Sequence, residues 1–230
     1  MSRGARPEAR RAIFGVFGPA PYTLGVGKML TTIAVALALL TGSSAWAGPT
    51  DQLREYTDKV VKVLDDPSMA RQDRRAAVRK IAHEAFDITE TAQRVLARHW
   101  QARTPAEREE FTQLFADLLE RTYIARMDEY GGERIRYLSE SIDGTFASVK
   151  ARIVTRTGTE VAVESRMNLR SDRWLIYDVL IENVSLVGNY RAQFDRIIRS
   201  SSYEELVRRL KTKREEFLNE SAPRARRSSG

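Results

Sequence analysis

No cysteine occurs among the 230 residues, which excludes a disulfide framework, thiolate catalysis, thiolate metal ligation and a lipid-modified N-terminal cysteine. Histidine is nearly as scarce. Only His83 and His99 are present, sixteen residues apart, which makes a poor metal site, and His99 beside Trp100 reads as a packed structural imidazole. Enzyme signatures are missing too: there is no Gly-rich phosphate loop, no Gly-x-Ser-x-Gly elbow and no His-Glu-x-x-His. Nor does the most apolar run reach the roughly 20 residues that a bilayer-spanning helix needs. That run, Leu30 to Leu40, is eleven residues long.

What is there begins with the order basic, apolar, small. Lys28 precedes Leu30 to Leu40, and Ala45-Trp46-Ala47 follows, the pattern of a cleavable secretory signal with the mature chain starting at Gly48. A buried core helix or a short uncleaved anchor is the competing reading. Met1 to Gly27 is rich in Arg, Gly and Pro without apolar periodicity, so it is expected to be disordered or untranslated, with Val26 or Met29 as tidier starts. Removing residues 1–47 leaves 33 basic against 30 acidic residues, and setting aside Arg224, Arg226 and Arg227 of the tail leaves 30 against 30 in residues 48–220. The body is therefore electroneutral, and the high pI of the whole chain is no argument for a nucleic-acid surface. A mature length of 183 residues suits one domain with a sizeable core. The chain divides into a leader and signal (1–47), one domain (48–220) and a low-complexity basic tail (221–230).

The first half of that domain is helical by periodicity. Leu53, Tyr56, Val60, Val63 and Leu64 share a face that stops at Asp65-Asp66-Pro67. A second helix sets Ala77, Val78, Ile81 and Ala85 against a charged face; a third carries Ile88, Ala92, Val95 and Leu96 up to His99-Trp100. Thr104-Pro105-Ala106-Glu107 opens the next with an N-cap, Pro at the first helical position and a capping-box Glu. Its stripe of Phe111, Leu114, Phe115, Leu118, Leu119 and Tyr123 is expected to run to Tyr130, with Gly131-Gly132 as left-handed caps. Beyond Gly132 the period changes to two. Ile135 and Tyr137 begin a strand; Ala147, Val149, Ala151 and Ile153 alternate in the next; Val161, Val163, Ser165 and Met167 follow the turn at Thr157-Gly158. Trp174 to Ile181 is apolar on both faces except at Asp178, which predicts a central strand covered on both sides. Helical pattern resumes at Asn189, and Ser202-Tyr203-Glu204-Glu205 predicts a capping box before a last helix with Leu206, Leu210 and Leu218. The result is an α+β domain, helices gathered on one face of a curved antiparallel sheet.

Asp178 is the one acid-base candidate. A carboxylate on an apolar strand becomes a base if its site is dry; the alternative is a structural group that accepts backbone amides or pairs with an Arg. The apolar and aromatic inventory on sheet and helix faces suits a cavity for an apolar ligand, although a filled core shows the same pattern.

The run from Trp174 to Val187, with Asn189-Tyr190-Arg191-Ala192-Gln193-Phe194 after it, resembles the signature of the MlaC family, the toluene-tolerance or Ttg-type substrate-binding proteins. Phe86-Asp87, His99-Trp100, Thr104-Pro105, Phe111, Phe115, Leu118-Leu119, Thr122-Tyr123 and Tyr130 fit the helical half of that family, so the likeness extends over about Leu53 to Leu210. Asn183 departs from it where Gly is usual, which bears on the local turn because Asn enters left-handed φ less freely. The resemblance implies a periplasmic phospholipid carrier on a nuclear-transport-factor-like cone with an apolar cavity. It implies glycerophospholipid as cargo rather than cofactor, an inner-membrane ABC transporter complex with an MCE-domain protein and an outer-membrane lipoprotein–porin complex as partners, and outer-membrane lipid asymmetry as purpose. The expected tail site takes Val149, Ile153, Val163, Met167, Trp174, Tyr177 and Val179 from the sheet and Phe111, Phe115, Tyr123 and Tyr190 from the helices. Arg191 is the candidate for a phosphate at the mouth, with a salt bridge to Asp178 or Glu182 as its alternative. No catalytic residue, metal or nucleic acid belongs to this reading; an enzyme using Asp178 on the same fold, and a protein-only adaptor, are the alternatives.

Overall fold

The computed structural model describes residues 47–124 and 130–221, with side chains as far as 216. The expectations for the leader, the continuation of the Phe111 stripe, the basic tail and Leu218 lie outside these. Among the described residues six helices and five strands follow one another: α1 (Pro49–Leu64), α2 (Arg71–Ala85), α3 (Ile88–Leu96), a 3₁₀ turn (Ala97–His99), α4 (Pro105–Tyr123), β1 (Arg134–Asp143), β2 (Phe146–Val154), β3 (Glu160–Arg170), β4 (Arg173–Ile181), β5 (Val184–Ser185), α5 (Leu186–Ser200) and α6 (Tyr203–Ser221). The α+β class expected from the periodicities is the one observed.

The sheet is a meander, antiparallel throughout, in the order β1-β2-β3-β4-β5. Its turns supply the positive φ that short hairpins need: Gly144 at +58°, Gly158 at +78°, Ser171 and Asp172 at 43° and 65°, Glu182 and Asn183 at 50° and 64°. Asn183 thus reaches the left-handed region without being Gly. Glu182 is held there in part by its own carboxylate, which accepts from the Ala162 amide at 2.7 Å.

β4 lies inside the sheet between β3 and β5, and Trp174 to Ile181 has no exposed residue, as its two apolar faces lead one to expect. Beyond it lies only the two-residue β5, which pairs with Leu180 and Ile181. The rest of that edge is covered by the junction between α2 and α3, where the Asp87 amide donates to the Ile176 carbonyl at 2.9 Å and the Thr91 hydroxyl to the Tyr177 carbonyl at 3.1 Å. Helical segments thereby cover the part of β4 that the short β5 leaves unpaired.

Two helix boundaries and one cap differ from the periodic reading. α3 ends at Leu96, because Ala97 takes φ +47° and a 3₁₀ turn carries the chain to His99. α5 starts at Leu186 rather than Asn189, since the Ser185 hydroxyl accepts the Gly188 amide at 2.8 Å and caps it. Before α6 the Ser202 hydroxyl accepts the Glu205 amide, but the Glu205 carboxylate turns to Arg208 and Arg209, so only half of the expected box forms. Those two guanidiniums hold its pKa down at about 2.

The box at Thr104 is complete: its hydroxyl accepts the Glu107 amide at 3.2 Å and the Glu107 carboxylate accepts the Thr104 amide at 2.7 Å, which keeps that carboxyl below its usual range. Thr104→Ala is expected to lower stability by about 1 kcal/mol in urea titration at neutral pH. A lowered carboxylate pKa contributes stability above the unfolded value and loses it as pH falls through the folded one, so the difference between wild type and variant should shrink on acidification through the carboxylate range.

Two apolar clusters form. On the inward sheet face Leu53, Tyr56 and Ala85 of α1 and α2 pack on Ala147, Val149, Met167, Trp174 and Ile176. Among the helices Phe111 lies parallel to Phe115 at 5.9 Å, and Phe194 meets both edge-on at 5.9 Å. Tyr190 closes the group 5.3 Å from Phe115.

Candidate functional site

Register shows which side chains share the inward face. Across β1, β2, β3 and β4 it carries the rows Ile142, Ala147, Met167, Ile176; then Glu140, Val149, Ser165, Val179; then Tyr137, Ala151, Val163, Ile181; and last Ile135, Ile153, Val161. Strict alternation would forbid Ile176 and Val179 from sharing a face. The bulge at Tyr177, where Met167 opposes Ile176 but Arg166 opposes Asp178, allows it. The opposite face is polar through Arg136, Ser148, Lys150, Arg152, Glu164 and Arg166.

Burial changes along this inward face. Met167 and Val149 are 0% and 1% exposed beneath α1 and α2, whereas Val163, Ile153, Val161 and Ile181 are only half buried and Ile135 is 36% exposed. Four apolar strands thus present side chains inward at an end that the described helices do not close. The half-buried Val60, Val63 and Leu64 in the second half of α1, with Tyr123 at the end of α4, are further apolar groups not fully covered. Polar groups also belong to this end: the Tyr137 hydroxyl lies 2.6 Å from that of Thr57, and burial raises the Tyr137 pKa.

The expected site residues fall into separate environments. Val149, Met167 and Trp174 are in the packed part of the inward face, Val179 at its border, and Val163 and Ile153 at the open end. Phe111, Phe115 and Tyr190 are together in the aromatic cluster among the helices; burial raises the pKa of the Tyr190 phenol against hydrogen bonding with Thr122 and Tyr123. Tyr177, the bulge residue, sits under the Arg94 guanidinium at 4.0 Å and edge-on to Phe146, away from the inward rows. Arg191 is exposed and donates to the Arg94 carbonyl at 2.8 Å, tying α5 to α3. Its alternative partner Asp178 is engaged elsewhere.

That carboxylate is 4% exposed and accepts the Ser185 hydroxyl at 2.7 Å and the Val187 amide at 3.0 Å, with Arg166 at 3.8 Å. It is the structural carboxylate of the sequence alternatives, one that holds the start of α5. The His99 Nε2–H donates to the Asp195 carboxylate at 2.8 Å, and this bond, with Arg98, keeps the Asp195 carboxyl below its usual range. Among the described residues no group of three or more His, Cys, Asp or Glu side chains could hold a metal ion, and no helix is long and apolar enough to cross a membrane.

Sequence reasoning missed Tyr137, Ala151, Ile181, Ile135 and Val161 as site residues, the partners of Val163 and Ile153 across the open rows. Ala151 and Ile135 were legible from alternation; Ile181 shares the row only because of the bulge.

Residues 54–212 match the family profile described as MlaC protein. The chain belongs to the MlaC family. A curated relative, the intermembrane phospholipid transport system binding protein MlaC of Haemophilus influenzae, is 20% identical over 191 residues, which span 79% of this chain and 89% of that one. A solved structure, a phospholipid-binding protein of Ralstonia solanacearum in complex with a phospholipid, superposes with a TM-score of 0.65 at 22% identity, over 73% of this chain and 97% of that one. The MlaC match takes in all five strands, the aromatic cluster, the open rows of the sheet and every member of the inward-face cluster except Leu53, while residues 1–53 and 213–230 fall outside it.

Proposed function

We propose that this chain is a periplasmic phospholipid carrier, which takes up glycerophospholipid with its tails against the open rows of the inward sheet face. It exchanges that lipid with an MCE-domain/ABC transporter complex at the inner membrane and a lipoprotein–porin complex at the outer membrane, and so maintains outer-membrane asymmetry. The observation that carries the reading is the burial gradient from Met167 to Ile135 on the inward face of the sheet, in a member of a family whose Haemophilus influenzae relative is named for phospholipid transport. Two acyl chains of about 15 methylenes each would cost on the order of 20 kcal/mol to expose to water at roughly 0.8 kcal/mol per CH₂. An apolar site offsets most of that barrier. Transfer from bilayer to protein is then nearly neutral, so one site can load and unload.

Export through a signal cleaved after Ala47 suits this role, and it leaves Gly48 as N-cap and Pro49 at the first helical position of α1. The commitment of Asp178 to Ser185 and Val187 favours a carrier over an enzyme with a base at that position. Expression of the full-length sequence in a Gram-negative host, followed by mass spectrometry of the periplasmic protein, tests both points. The expected result is an N-terminus at Gly48 and co-purifying glycerophospholipid without metal or nucleotide. Protein that retains Leu30 to Leu40 would refute cleavage, and a lipid-free protein that takes up none from vesicles would refute the carrier.

A further inference from the structure

We infer that β1 is a self-complementary edge through which two copies of this chain join their sheets. Among the described residues β1 pairs only with β2, and nine of its ten residues are exposed, including Ile135, Leu138 and Ile142. The strand reads Arg134-Ile-Arg-Tyr-Leu-Ser-Glu-Ser-Ile-Asp143, basic at one end and acidic at the other. An antiparallel copy related by a two-fold axis perpendicular to the sheet, centred between Leu138 and Ser139, brings Arg134 opposite Asp143, Ile135 opposite Ile142, Arg136 opposite Ser141 and Tyr137 opposite Glu140. Such an axis preserves sheet faces, so opposed residues must already share a face. In a regular strand these pairs, with odd sums of residue number, lie on opposite faces and the register fails. The bulge between Tyr137 and Ser139 shifts the second half by one, so that Ile135, Tyr137, Glu140 and Ile142 all fall on the inward face and Arg134, Arg136, Ser141 and Asp143 on the other. Every flanking pair in the two-fold register is then matched.

Three further observations agree. Neither the Arg134 nor the Asp143 side chain has a hydrogen bond or ion pair among the described residues, and the register supplies each with the other, twice per dimer. Ile135 and Ile142, 36% and 54% exposed, would cover one another. Helix α1 reaches β1 through the Thr50 amide on Glu140 and the Thr57 hydroxyl on Tyr137, and leaves both isoleucines uncovered. The inference is independent of the lipid reading, since it rests on the edge and not on the open rows.

Sedimentation equilibrium on purified protein expressed from the full-length sequence is the test. A single pair of ten-residue strands belongs with small, transient interfaces, so half-dimerisation is expected only on the order of 100 µM. Arg134→Glu should weaken it at least tenfold, and the swap Arg134→Glu with Asp143→Arg should restore it, both variants keeping the wild-type circular dichroism spectrum because the two positions are exposed. A monomer up to ~1 mM would overturn the inference and leave the charges as guards of a free edge. So would a dimer indifferent to Arg134→Glu, or one that the swap fails to restore.

Discussion

Val163→Trp is expected to empty the lipid site of a protein that still folds, and Val149→Trp to do the reverse. The two valines lie one row apart on the inward face, Val149 opposite Ser165 and Val163 opposite Ala151. They differ in what surrounds them. Val149 is 1% exposed in the cluster with Leu53, Tyr56, Met167 and Trp174, so an indole there overpacks a filled interior at a cost of about 1–3 kcal/mol. For a domain of this size that lowers the thermal midpoint by roughly 3–10 °C. Val163 is half buried in the row that the helices leave open, and an indole can occupy that space without displacing core side chains. Its midpoint should stay within about 2 °C, since surface-accessible substitutions usually stay within ~0.5 kcal/mol. Lipid per folded protein, measured by phosphate assay after extraction, should fall several-fold for Val163→Trp and stay near wild type for the folded fraction of Val149→Trp. Unchanged lipid in a folded Val163→Trp variant would place the tails on another surface, and equal destabilisation at both positions would mean that the open rows are ordinary core.

That contrast was not available from the sequence, where both valines are alternating apolar residues of neighbouring strands. Alternation identified the inward face of β2 and β3 because nothing interrupts it between Phe146 and Val154 or between Glu160 and Arg170. In β4 it did not show that the Tyr177 bulge puts Trp174, Ile176 and Val179 on one face, although the strand is covered on both sides as its apolar residues suggest. Helix starts carried by local chemistry were legible, Thr104 above all. The start of α5 was not, since part of its cap comes from Asp178, nine residues upstream of the Val187 amide and on a different element. The aromatic residues Phe111, Phe115 and Tyr190 were recognisable as interior, but stripe periodicity does not say whether an interior ring meets another ring or a cavity. Phe194, four residues after Tyr190, is the ring that closes their cluster.

Asp178 gives the other large effect. Its carboxylate holds the first turn of α5 by accepting the buried Val187 amide and the Ser185 hydroxyl, while Ser185 in turn accepts the Gly188 amide. A negative group at a helix N-terminus is also favoured by the unpaired amides there. Asp178→Ala removes both acceptor oxygens and leaves a buried amide without a partner, so a loss of about 2–4 kcal/mol is expected in denaturant titration. Arg166 contributes little, being 3.8 Å away and 42% exposed. Asp178→Asn keeps one acceptor for the Val187 amide and should cost less, roughly 1–2 kcal/mol. Because α5 carries Tyr190 and Phe194 into the aromatic cluster, the Ala variant should also expose those rings and bind more of a hydrophobic dye near its transition. Lipid per folded molecule should be unchanged in both variants, since Asp178 lies on the face opposite the open rows. A catalytic base makes a different forecast: the isosteric Asn variant would keep wild-type stability and lose a turnover. A stable Asp178→Asn protein with altered lipid chemistry would therefore sink the structural role, whereas graded destabilisation from Asn to Ala with cargo retained fixes the carboxylate as the anchor of α5.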